Sequence, residues 1–121
     1  MKYLFILVFT AIFSMANAQT PVKFKELKHS FGKILKDKPV TYIFSFKNTG
    51  TKPLVIESAN AECGCTTPEY PKEPIIKGKD AKIKVTYNAA NLGTFTKKVH
   101  VKFANIEAPI DLEITGEVIT K

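Results

Sequence analysis

Arginine and tryptophan are absent from this 121-residue chain, and cysteine and methionine occur twice each. Reading bases in nucleic acid leans on the planar, bidentate guanidinium, so no nucleic-acid partner is expected, although lysine brings the formal charge to +7. Glycine is sparse, at six residues, and no glycine-rich phosphate loop occurs. Beyond residue 18 the serines are Ser30, Ser45 and Ser58, and none stands in a Gly-x-Ser-x-Gly elbow. Asp111, Glu113 and Glu117 share one parity of a single alternating segment. They face solvent together and do not oppose one another across a cleft. These absences point to a protein that is not an enzyme and carries no cofactor. The length leaves room for one globular domain.

One long apolar run is present, and it is N-terminal. Lys2 precedes the stretch Tyr3 to Phe13, and Ala16-Asn17-Ala18 places small residues where signal peptidase reads them. The run falls short of the roughly 20 apolar residues that a bilayer core requires. Residues 1–18 therefore read as a secretory signal peptide and residues 19–121 as the mature domain. No cysteine lies at the cleavage point, which argues against a lipid anchor. The expectation is an exported protein, periplasmic or extracellular, with no transmembrane segment after cleavage.

From Gln19 onward apolar residues recur with period two and not at helical spacing. Tyr42, Phe44 and Phe46 share one face opposite Thr41, Ser45 and Lys47. Leu54 and Ile56 alternate after Pro53, as do Ile83, Val85 and Tyr87. Phe95, Lys97, Val99, Val101 and Phe103 form another register, and Ile110, Leu112, Ile114 and Val118 a further one. Val22 to Leu27 is a weaker opening strand. The glycines mostly fall between these segments, as turn punctuation. The fold class is all-β, about seven short antiparallel strands in two sheets packed face to face, with a small closed barrel as the alternative.

Glu62 to Gly78 breaks this rhythm. It holds both cysteines, Pro68, Pro71, Pro74 and Tyr70, and a localised function is expected here. Phe31-Gly32-Lys33-Ile34, Phe44 to Gly50, Pro53-Leu54-Val55-Ile56, Cys63-Gly64-Cys65-Thr66 and Ile76-Lys77-Gly78 resemble successive blocks of the bacterial secreted family called domain of unknown function 1573. The resemblance spans nearly all of the mature chain, and Cys-Gly-Cys-Thr is its most specific block. It implies an immunoglobulin-like β-sandwich related to Hydin-type and major-sperm-protein-like modules, and no established activity.

An oxidising compartment should not leave Cys63 and Cys65 as idle thiols. A local disulfide closing so short a loop stabilises by only about 1.6 kcal/mol on the chain-entropy account. Redox exchange is the competing use, without the Cys-x-x-Cys spacing and helix N-terminus that favour it. Metal binding by Cys63 and Cys65 is another, with only His29 and His100 as further soft donors once both methionines leave with the signal. Each histidine reads as a solvated surface residue. Lys82, Lys84, Lys97, Lys98 and Lys102 are expected on outward strand faces, guarding against pairing with other chains or favouring an acidic partner. The function expected is binding or scaffolding of an envelope or extracellular partner, an unknown protein or glycan, through the Cys63 to Gly78 loop. Cys63, Gly64, Cys65, Thr66 and Tyr70 are the binding residues, with a strand edge as a second mode.

Overall fold

In the computed structural model, residues 20–121 are described, and the signal-peptide reading of 1–18 lies outside them. The described residues form eight strands and no helix: β1 Val22–Phe24, β2 Lys28–Leu35, β3 Val40–Asn48, β4 Ile56–Ala61, β5 Thr66–Glu69, β6 Asp80–Tyr87, β7 Gly93–Phe103 and β8 Ile110–Ile119. They make two four-stranded sheets, ordered β1-β3-β6-β5 and β2-β8-β7-β4. This is the expected sandwich.

The period-two pattern explains why these segments pair as they do, because one parity of each strand must leave water. Phe44, Phe46, Ile83 and Val85 of the first sheet and Val99, Val101, Leu112 and Ile114 of the second are all buried. Aromatic pairs join the layers. Phe46 meets Phe103 edge-on at 5.6 Å, and Tyr87 stacks on Phe95 at 4.1 Å. Such pairs add about 0.5–1.5 kcal/mol each beyond the area they bury.

Two strands differ from the sequence expectation. β2 pairs in parallel with β8, while the other strand pairs are antiparallel. Its register shifts between Ser30 and Lys33, where Gly32 takes a φ of 69°. The bulge breaks the alternation that would have marked a strand. Gly116 on β8 lies against it: a Cβ there would stand 2.9 Å from the Gly32 carbonyl and 2.7 Å from the Phe95 ring. Only hydrogen fits. β5 lies within the stretch read as strand-poor, with Pro68 opposite Val85 on β6. It is an edge strand, the place in a sheet where proline is tolerated.

Candidate functional site

β4 ends at the margin of the second sheet and β5 begins at the margin of the first, so the chain changes layer across Glu62 to Cys65. A disulfide joins Cys63 to Cys65 at this corner, with Cα atoms 5.3 Å apart, inside the range a bridge accepts. The Cys65 carbonyl accepts the Asn88 N–H at 2.9 Å. Thr66 is buried, and its hydroxyl lies 3.6 Å from the Cys65 sulfur and 3.9 Å from that of Cys63. Thr66 thus fills the space beneath the bridge. Gly64 has open space where a Cβ would stand, and its φ lies outside the left-handed region.

Beyond β5 the chain is tied down by neighbours far away in sequence. Leu54 and Ile75 exchange both backbone hydrogen bonds, at 2.8 and 2.7 Å. Asn48 is fully buried at the end of β3, where its side-chain N–H groups donate to the carbonyls of Lys52 and Ile75, each at 2.8 Å. Its amide oxygen accepts from the Gly50 N–H at 3.0 Å, and its backbone carbonyl from the Gly78 N–H at 2.9 Å. One side chain therefore binds the β3–β4 turn to the proline-rich segment. The signal for Asn48 in the sequence is a polar residue at the core parity of β3, two positions after Phe46.

Tyr70 is half-buried against the core, and the Lys72 ammonium sits 3.7 Å from its ring centre. That face of the ring is engaged within the chain. An open groove of about 610 Å³ runs between the segment and the start of β6, lined by Tyr70, Pro71, Pro74, Ile76, Lys79 and Lys82 among others. Ile76 is 54% exposed at its rim.

The two histidines lie apart from the cysteines and from each other. His29 stacks on Tyr42 at 3.5 Å. Tyr42 donates its hydroxyl to Glu26, and that bond, followed by desolvation and the nearby carboxylate charge, raises the phenol above its ordinary 10.0. His100 faces outward on β7, with Nδ1 2.5 Å from Asp111 and Nε2 3.7 Å from Glu62. Among the described residues, no three Cys, His, Asp or Glu side chains are grouped to hold a metal ion. The lysines expected on outward faces divide between layers: Lys82 and Lys84 stand on β6 of the first sheet, Lys98 and Lys102 on β7 of the second, whereas Lys97 is half-buried on β7 at the parity of Phe95 and Val99.

Residues 22–118 match the family described as Protein of unknown function (DUF1573). No curated protein matches the chain in sequence. Among solved structures it is similar to the ASH / PapD-like domain 7 of human CEP192, with a TM-score of 0.68 and 11% identity over 84% of this chain and 87% of that one. It is similar also to a protein of unknown function from Porphyromonas gingivalis W83, with a TM-score of 0.68 and 11% identity over 83% of this chain and 50% of that one. The secreted serine protease VesC of Vibrio cholerae contains a similar region, with a TM-score of 0.65 and 10% identity over 83% of this chain and 23% of the protease. At these identities the likeness shows a shared fold.

Proposed function

This chain belongs to the family described as Protein of unknown function (DUF1573), and from that premise we propose that it is an exported, non-enzymatic immunoglobulin-like module that binds an envelope or extracellular partner. The contact surface is the Cys63 to Gly78 segment. The observation that carries this reading is the way that segment is held: a disulfide at its start and, near its end, Ile75 fixed both by the bridge to Leu54 and by the Asn48 side chain on its carbonyl. A surface fixed before contact loses little ordering entropy on binding. The groove beside it, with Ile76 on its rim, Lys79 and Lys82 along it and Glu69, Glu73 and Asp80 also in its walls, offers apolar contacts together with charges of both signs.

A strand edge supplies a second mode. β1 covers β3 only from Phe46 to Asn48, with one further bond from the Lys25 N–H to the Ser45 carbonyl. Upstream of Ser45, β3 has no strand on that side among the described residues. A partner strand could add there by backbone pairing.

The test is capture from a detergent-solubilised envelope fraction by wild type, Tyr70→Ala and Ile76→Asp. Ile76 is exposed, so its replacement leaves the core intact while placing a charge on the groove rim. Loss of a wild-type partner from both variants is expected. Identical partner profiles would exclude the segment as the contact surface.

A further inference from the structure

The two outer faces of the sandwich carry different charge arrangements. On the second sheet, lysines meet carboxylates: Lys98 is opposite Glu113, Lys33 is opposite Glu117, and Lys102 lies 3.6 Å from Glu57. On the first sheet Lys84 lies 3.9 Å from Glu69, and Lys47 of β3 has Asp80 of β6 on one side. On its other side, however, Lys47 is opposite Lys23 of β1, and Lys25 and Lys82 flank Ser45 from either side. Like charges directly opposite on a sheet destabilise it. Lys23, Lys25, Lys47 and Lys82 are exposed, and among the described residues none of these four makes an ion pair within 4.0 Å. They line a shallow groove of about 420 Å³ with Asp80 as its single carboxylate.

From this geometry we infer that the lysine groove of the first sheet binds a carboxylated polysaccharide. Side chains two apart on a strand stand about 7 Å from each other, and neighbouring strands about 5 Å. The four ammonium groups thus form a compact grid that suits anions repeated at short intervals along one chain. A polymer is favoured over a folded protein because lysine is depleted from protein interfaces, whose cores are apolar and aromatic. Its two aromatic lining residues, Phe24 and Phe46, pack on each other and into the core, and so present no exposed platform of the kind on which nucleic-acid bases stack. It shares Lys82 and Asp80 with the groove beside the proline-rich segment, whereas Lys23, Lys25 and Lys47 line it alone, so replacing those three separates the two sites.

Calorimetric titration of the purified protein with polygalacturonate at low salt tests the assignment, with dextran as the uncharged polymer and polyphosphate and phosphatidylserine vesicles as other anions. Polygalacturonate should bind, weaken as sodium chloride rises, and exceed every other probe. Each lysine removed should weaken binding about fivefold, and Lys25→Gln with Lys47→Gln about 25-fold. The matching pair on the other face, Lys33→Gln with Lys98→Gln, should change it less than about twofold on the same reasoning. Unchanged thermal melts keep folding out of the comparison. Equal losses from the two faces, absence of polygalacturonate binding, or tighter binding of dextran, polyphosphate or vesicles would each overturn the inference.

Discussion

Asn48→Asp keeps the shape of a fully buried side chain and removes its ability to donate. The amide N–H groups now serve the Lys52 and Ile75 carbonyls at 2.8 Å each. A carboxylate can only accept, so both bonds are lost and a negative charge faces two carbonyl oxygens. Lys52 is exposed and its carbonyl can turn to water, while the Ile75 carbonyl keeps the Leu54 N–H at 2.8 Å. The lost bonds therefore cost only about 1–2 kcal/mol. Burying the charge adds several more, so the total at neutral pH is roughly 3–5 kcal/mol. Such a loss is a large part of the stability of an ordinary domain, about 5–15 kcal/mol.

The cost should also depend on pH. Burial and the facing carbonyls raise the folded-state pKa of the introduced carboxyl above the unfolded value of about 3.9. The protonated folded form is then favoured, and its relative stability is fully present below about pH 4 and lost as pH rises through the raised value. Urea denaturation of wild type, Asn48→Asp and Asn48→Ala at pH 3.5 and pH 7 reads this directly. Asn48→Ala should cost about 2–3 kcal/mol at both values. An aspartate variant within about 1 kcal/mol of wild type at pH 7, or one equally weakened at both, would refute the role given to this side chain.

Replacing both cysteines by serine should cost no more than about 1.6 kcal/mol, and a drop beyond about 3 in chemical denaturation would show that the bridge holds the fold. Gly116→Ala brings a methyl against the Gly32 carbonyl and the Phe95 ring, which is itself stacked on Tyr87. A loss of about 1–3 kcal/mol is expected, and an unchanged melt would contradict the close approach. In Glu26→Gln the Tyr42 phenol should titrate closer to its ordinary 10.0, because the carboxylate that raises it is gone. Its raised value means that the stability it lends is full below the unfolded pKa and is lost as pH climbs through the folded one. Ultraviolet titration of the tyrosines checks this, and an unshifted curve would sink it.

Strands buried on one face were legible because period-two alternation is a direct imprint of a layered core. Phe44 and Phe46 on β3, and Val99, Val101 and Phe103 on β7, lie buried as the pattern implied. β2 and β5 were not legible, and the reason is the same for both. Each is an edge strand that buries few side chains, and each carries an interruption, Gly32 in one and Pro68 in the other. The proline-rich segment stood out by its composition, but its anchoring could not be read there. Leu54 and Ile75 are 21 positions apart, and Asn48 and Ile75 are separated by 27. Local pattern carries no record of such pairings. The lysine groove was hidden likewise, since Lys23, Lys47 and Lys82 meet only through strand pairing.

Recognition of the proposed kind requires a proline-rich surface fixed in place before anything touches it, and amide hydrogen exchange reads that condition most directly. The Leu54, Ile75 and Gly78 amides, which donate to Ile75, Leu54 and Asn48 carbonyls, should exchange nearly as slowly as those of the β3–β6 ladder. Exchange of these three at the rate of open turn amides, while the ladder stays protected, would contradict it.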